Sequence, residues 1–168
     1  LYYNIIFIEL FMLINLQNYF TVDVVYLWLN FGVLPLWLAL IFFPNSRMVK
    51  IFITSIFMPI VFSVTYAYIT YIFIIQSDSI FEISNFYFGI DNLYSLLSDE
   101  TFLLIFWIHF ISLNLFLGSW TSRDATKYGI SKIFTGFCLI LIYLTGPLGL
   151  VLYWLIRIFY SKKFDLYD

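Results

Sequence analysis

The sequence is poor in the residues that most chemistry requires. Its 168 residues hold one cysteine, Cys138, and one histidine, His109. A single cysteine closes no internal disulfide, so it says nothing about redox compartment. Structural zinc takes about four nitrogen or sulfur ligands, and histidine-box di-iron or bis-histidine haem sites take several imidazoles. This chain alone supplies neither set. No GxxxxGK[ST] and no GxGxxG pattern occurs, which removes the phosphate-cradling loops of nucleotide-driven and dinucleotide enzymes. A serine nucleophile would have His109 as its only imidazole base, and no GxSxG turn accompanies it. The expectation is a protein with no metal and no cofactor. Charge is also scarce. Only 11% of residues are Asp, Glu, Lys or Arg, and the net charge is −2, against about 25% charged residues in soluble domains. No basic excess exists to attract nucleic acid.

What fills the chain instead is oil: 63% of residues are hydrophobic and 24% are aromatic. The apolar residues gather into four runs, Val24–Phe43, Ile51–Ile75, Phe102–Gly118 and Ile133–Tyr160. A helix needs about 20 apolar residues to cross a hydrocarbon core of ~30 Å, and these runs meet or approach that length. The expected fold is therefore all-α: a polytopic membrane protein of four transmembrane helices with a short N-terminal interfacial helix. Residues 1–20 form that interfacial or partner-facing extension, 21–160 the four-helix domain, and 161–168 a polar C-terminal tail. Pro35 and Pro59 predict kinks, because proline frees a carbonyl that another group must satisfy. Gly146-Pro147-Leu148-Gly149 predicts a break in the fourth run. Ser98-Asp99-Glu100-Thr101 reads as a helix start with acids at the positive end of the dipole, and Ser119–Lys132 as a loop.

The connections differ in charge. Arg47 and Lys50 flank the first, Arg123, Lys127 and Lys132 lie in the third, and the second (76–101) carries acids and no cation. The positive-inside rule puts the two basic connections on one side and the acidic one opposite. Arg157, Lys162 and Lys163 then conflict with a fourth full crossing, unless the break at Gly146-Pro147 makes the last segment re-entrant. Phe, Ile, Tyr and Asn are abundant while Ala and Gly are scarce, the protein-level trace of an AT-rich genome. This composition points to an organelle, mitochondrial or plastid, or to a bacterial inner membrane.

Several ordered stretches resemble one family. They are Leu34-Pro35-Leu36-Trp37 with Phe43-Pro44-Asn45, then Tyr66-Ala67-Tyr68, Leu97-Ser98-Asp99-Glu100, Trp107-Ile108-His109, Asn114-Leu115-Phe116, Arg123-Asp124-Ala125 and Gly146-Pro147-Leu148-Gly149. In order and spacing, over about residues 22–160, the chain resembles the abscisic-acid-deficient-four-like family of small membrane proteins. Plastid members of that family are required to make neoxanthin from violaxanthin. The resemblance implies a carotenoid substrate in the lipid phase and an epoxide isomerisation that needs an acid and a base and no redox cofactor. Asn114 and Ser119 depart from the pattern, standing where members usually carry Asp and often Arg. The matched loss reads as removal of an ion pair and points to degenerate activity.

Candidate residues follow. His109 is an intramembrane ionisable group, and such groups mark function by default. In the isomerase reading His109 is the acid, with Glu100 or Asp124 as base or orienting partner. Tyr66, Tyr68 and Trp107 are the expected walls of a polyene groove. Each has a plainer reading: His109 as a bond between helices, Asn114 as packing glue, Asp99 and Glu100 as dipole complements, Arg123 and Asp124 as a solvated loop pair, and the aromatics as lipid-facing bulk. The rival to the enzyme is a non-catalytic accessory subunit of a respiratory or photosynthetic membrane complex. Expected partners are membrane lipid, a carotenoid and other subunits.

Overall fold

The computed structural model describes residues 21–55, 57–77 and 87–162. The expected N-terminal interfacial helix and nearly all of the C-terminal tail lie outside these. Within them the chain forms helices α1 (Val22–Phe42), α2 (Phe57–Ser77), α3 (Ile90–Leu97), α4 (Glu100–Lys127), α5 (Lys132–Thr145) and α6 (Pro147–Ser161), with a π-helical turn at Val49–Ile53. No strand occurs among the described residues. By length and composition, three helices suffice to cross a membrane: α1, α2 over Phe57–Ile75, and α4.

Two boundaries moved for local reasons. The second apolar run was expected to start at Ile51. Instead Ser46 Oγ accepts the Val49 N–H at 3.2 Å, and Ser55 Oγ both donates to the Ile51 carbonyl and accepts the Phe57 N–H. The Ser46 bond caps the start of the turn that leads into the π-helical residues, and the two Ser55 bonds end it, so α2 starts at Phe57. Pro59 then falls in its first turn, where a missing N–H has no intrahelical partner to lose. The expected loop after Gly118 is helical to Lys127. Gly118, Ser119, Thr121, Ser122 and Ala125 are buried there, and small residues on one helix face let neighbouring backbones approach. Polarity that read as a loop is close packing. The start of α4 is as expected: Asp99 is the N-cap, and its carboxylate accepts the Phe102 N–H at 2.8 Å.

The fourth apolar run is not one spanning helix. Gly146 ends α5 at φ 62°, a backbone state natural to glycine, and Pro147 opens α6 at a position where proline is favoured. At 14 and 15 residues, α5 and α6 measure only about 21–22 Å each. They fold back on each other as a hairpin. A Cβ at Gly149 would stand 2.8 Å from the Cys138 carbonyl oxygen, so the two backbones are nearly in contact. The hairpin tip rests on Asn114, the midpoint of α4: a Cβ at Gly146 would come within 2.5 Å of Asn114 Oδ1.

Helix α4 is the axis of the fold. At its start Leu104, Ile105 and Ile108 pack on Val25 of α1 and on Ile69 and Phe73 of α2. Midway, Ile111 and Leu115 meet Val33 and Trp37 of α1, Phe62 of α2 and Ile142 of α5. The Trp37 ring lies over Gly118, 2.6 Å from where a Cβ would be. Near its end Ala125 joins Ile130, Cys138 and Tyr153. Helices α1 and α4 therefore run parallel and α2 antiparallel. Asp23, Asp99 and Glu100 fall at one end of the bundle, and Arg47, Lys50, Arg123, Lys127, Lys132, Arg157 and Lys162 at the other.

Candidate functional site

The spacing 109, 112, 116, 119, 123 alternates steps of three and four, which puts His109, Ser112, Phe116, Ser119 and Arg123 on one stripe of α4. The stripe borders a lateral cleft between α4, the π-helical turn and the start of α2. The cleft has a volume of about 490 Å³, within the usual range of about 300–1,000 Å³ for small-molecule sites. Its walls are Met58, Pro59 and Phe62 on one side and Phe116 and Trp120 on the other. Its polar groups are Thr54, Ser55, Ser112, Ser119 and Arg123. Ser119 Oγ donates to the Ile53 carbonyl at 3.2 Å, and Arg123 Nη1 reaches the Thr54 carbonyl at 3.4 Å. One turn above Ser112 stands His109, on the outer surface of the bundle, with its ring centroid 6.2 Å from that of Tyr66. The arrangement is polar along one wall, apolar on the others, charged at the basic end and open to the side.

The candidate residues divide between places. His109 and Tyr66 are brought together. Tyr68 lies on a different groove, between α1 and α2, beside Trp28, Gly32 and Thr65. Trp107 points to the inner side of α4, 5.9 Å from Tyr26 and 5.4 Å from Phe110 by ring centroids. Glu100 is exposed at the first turn of α4. Along that helix it lies about 13 Å from His109, and Asp124 lies about 22 Å beyond His109 on the other side. The three proposed acid–base groups are thus spread along one rod.

Asp124 is not half of a solvated loop pair with Arg123. It sits on α4, and its Oδ2 accepts from both Tyr153 Oη and Arg157 Nε of α6, each at 2.7 Å. The Arg157 guanidinium is fully buried and lies over the Tyr128 ring at 4.8 Å, with Nη2 donating to Tyr128 Oη at 3.3 Å. A buried charge persists only when paired and hydrogen-bonded, and this one is both. Arg157 and Tyr153 were missed in the sequence, where Arg157 read only as a topological contradiction. The signal was a lone cation inside an apolar run, which calls for an anion from another element. Asn114, expected as packing glue, does sit at a helix contact, under the hairpin tip.

No group of three or more His, Cys, Asp or Glu side chains converges to hold a metal among the described residues. The sequence matches the ABA DEFICIENT 4-like family over residues 24–153, more than three-quarters of the chain. No curated protein and no solved structure matches it. The family match runs from the first turn of α1 to Tyr153, so it takes in the α2–α4 cleft, His109 and Asp124. On that coverage the chain belongs to the ABA DEFICIENT 4-like family, as a helical protein in which three of the described helices are long and apolar enough to span a membrane.

Proposed function

We propose that this protein binds an oxygenated carotenoid from the lipid phase and seats its polar end group in the cleft between α2 and α4. The family link to neoxanthin formation supplies the substrate class. The observation that carries the reading is the polar stripe His109–Ser112–Ser119–Arg123 on an otherwise apolar, laterally open wall. A long polyene with hydroxyl or epoxide oxygens at its ends has that same division of polarity. Hydrogen bonds to those oxygens would orient the ring, while Phe62, Phe116 and Trp120 take its apolar faces.

In this reading His109 is the group that delivers a proton to an epoxide oxygen, since it stands at the lipid-facing head of the stripe. Epoxide-to-allene isomerisation also needs a base for a ring-adjacent proton. Asp124 is engaged by Tyr153 and Arg157, and Glu100 lies at the far end of α4. Neither reaches His109 within α4. Low isomerase turnover with retained pigment binding is therefore the expected behaviour. That neither of these two carboxylates reaches His109 also favours the second reading, a non-catalytic subunit of a larger membrane assembly. In both, the chain crosses the bilayer three times, and the α5–α6 hairpin enters and leaves by the basic face, which removes the charge conflict at the C-terminus.

Expression in a violaxanthin-accumulating host tests this. Purified protein should carry violaxanthin, and Phe116→Asp with Ser119→Leu should strip the pigment at unchanged protein level. Pigment-free protein, stable only inside a multi-subunit complex, would overturn the carotenoid reading in favour of the subunit. Neoxanthin that forms with the chain and vanishes in His109→Ala would replace low turnover with full catalysis.

A further inference from the structure

At the basic end of the bundle, the Pro44–Asn45 turn after α1, the last turns of α4 and the start of α5 border a pocket of about 210 Å³. Its polar wall residues are Asn45, Ser122, Thr126, Lys132 and Thr135, and no Asp or Glu lines it. Two of the hydroxyls spend their protons inside their own helices. Thr126 Oγ1 donates to the Ser122 carbonyl at 2.9 Å, and Thr135 Oγ1 to the Ser131 carbonyl at 3.0 Å. The donors left over are Asn45 Nδ2, Ser122 Oγ and Lys132 Nζ, which have no hydrogen bond or ion pair among the described residues. Ser122 is the most telling of the three. It is 2% exposed; Thr121 Oγ1 beside it is sealed off, and Ser122 Oγ is not. A buried hydroxyl that keeps its proton unshared on a pocket wall calls for an acceptor. Ser131 begins α5 without a side-chain cap bond, so the positive pole of that helix is also uncovered at Lys132. Charge at this end is one-sided: its one carboxylate among the described residues is Asp124, and Arg157 holds it.

We propose that this pocket holds the phosphate group of an anionic membrane lipid, with the Lys132 ammonium as counter-charge and Ser122 and Asn45 as hydrogen-bond donors. The chemistry selects the occupant. Three donors, one of them charged, with no carboxylate beside them, repel a cation and suit an anion that brings several acceptor oxygens. The volume admits a headgroup and not a drug-sized molecule, which takes at least about 300 Å³. The surroundings favour a lipid over free phosphate. Phe42 and Phe43 at the end of α1 and Ile133 in the first turn of α5 are exposed next to the pocket's own residues, and acyl chains would cover them. The pocket also stands where the spanning helices α1 and α4 end, on the basic face. Basic pockets between spanning helices on that face are where anionic headgroups lodge. The site rests on this pocket and its donors and is independent of the carotenoid reading of the α2–α4 cleft.

The test uses the full chain in detergent micelles at about 150 mM ammonium acetate, where the Debye length is about 8 Å and remote cations contribute little. Native mass spectrometry follows the titration of phosphatidylglycerol and, separately, of phosphatidylcholine with the same acyl chains. Phosphatidylglycerol should bind the tighter, because the choline cation meets Lys132. Lys132→Gln should weaken phosphatidylglycerol about fivefold, the effect of one cation near an anionic headgroup. Ser122→Ala should weaken it about tenfold, as the loss of a hydrogen bond to a charged group does. Asn45→Leu removes an exposed donor and serves where Ser122→Ala lowers stability. Lys50→Gln, on the same face and outside the pocket, should leave the affinity nearly unchanged. Displacement of the lipid by inorganic phosphate, with the same loss in Lys132→Gln, would identify free phosphate as the occupant of this site. Equal losses for Lys132→Gln and Lys50→Gln would show attraction by the whole basic face and overturn the proposal. So would equal binding of the two lipids, or a chain that binds neither lipid nor phosphate.

Discussion

Asp124 and Arg157 meet across 33 positions of sequence, carboxylate Oδ2 to guanidinium Nε at 2.7 Å. The pair fixes the far end of the α5–α6 hairpin to the last turns of α4, while Gly146 seats the near end on Asn114. The hairpin is held at both ends, by charge at one and by close approach at the other.

The pair should behave as a unit. Arg157→Met leaves the Asp124 carboxylate beside Tyr153 without its cation, and breaking a buried pair costs about 3–5 kcal/mol. The double variant Asp124→Leu with Arg157→Met removes both charges, so it should recover a large part of that loss. Denaturation in mild detergent, read as a double-mutant cycle, checks this. Additive losses would show that the two side chains stabilise independently.

Gly149 and Gly118 should rank differently when a methyl group is added. At Gly149 the new Cβ meets backbone, the Cys138 carbonyl and the Ile142 amide, and backbone cannot step aside. At Gly118 it meets the Trp37 ring, which can tilt at a cost of about 1–3 kcal/mol for overpacking. Gly149→Ala should therefore destabilise more than Gly118→Ala, and Trp37→Leu should relieve the second alone. Thermal midpoints of the wild type, each alanine variant, Trp37→Leu and each alanine combined with Trp37→Leu give the comparison, and equal losses for the two alanines would contradict the packing described.

The side of the C-terminus is the sharpest topological test. Single cysteines at Ser46, Ser131 and Lys162, in a Cys138→Ala background, should label from one face of a sealed vesicle, and one at Asp91 from the opposite face. Labelling of Lys162→Cys together with Asp91→Cys would restore the fourth crossing.

Gly146→Ala joins two faults: a non-glycine residue at φ 62° and ψ −86°, close to the rare and strained γ-turn region, and a Cβ pressed on Asn114 Oδ1. Asn114→Ala should relieve the second fault and leave the first. The expected result is partial rescue, measured by the fraction of protein that elutes as a single species. Full rescue would mean that the backbone conformation carries no cost.

Much of the helical layout was legible. Hydrophobic run length marked α1 and α4, Asp99 marked the start of α4, and Gly146-Pro147 marked the break. The extension of α4 through Ser119–Lys127 was hidden because small polar residues serve loops and tight helix contacts alike, and only a neighbour's position tells them apart. The shortened α2 was hidden because Ser55 acts through backbone geometry that hydropathy does not register. Of the site, the pairing of His109 with Ser112 could be read from its three-residue spacing, whereas Ser119 and Arg123 lie in the hidden extension of α4, and Asp124 could not be matched to Arg157 until the hairpin was known to return. The sequence-predicted acid–base roles of His109, Glu100 and Asp124 and the wall roles of Tyr66, Tyr68 and Trp107 stand as proposals for the experiments above.

A helix that stops halfway through a bundle exposes a pole, equivalent to roughly half an elementary charge, where there is no water to screen it. In this hairpin two such poles share Gly146: the negative end of α5 and the positive end of α6. Side by side they cancel to a short-range field that fades within a few ångströms. The neighbour of Gly146 in this chain is an uncharged amide, Asn114, and the paired poles leave no net charge there that calls for a counter-ion.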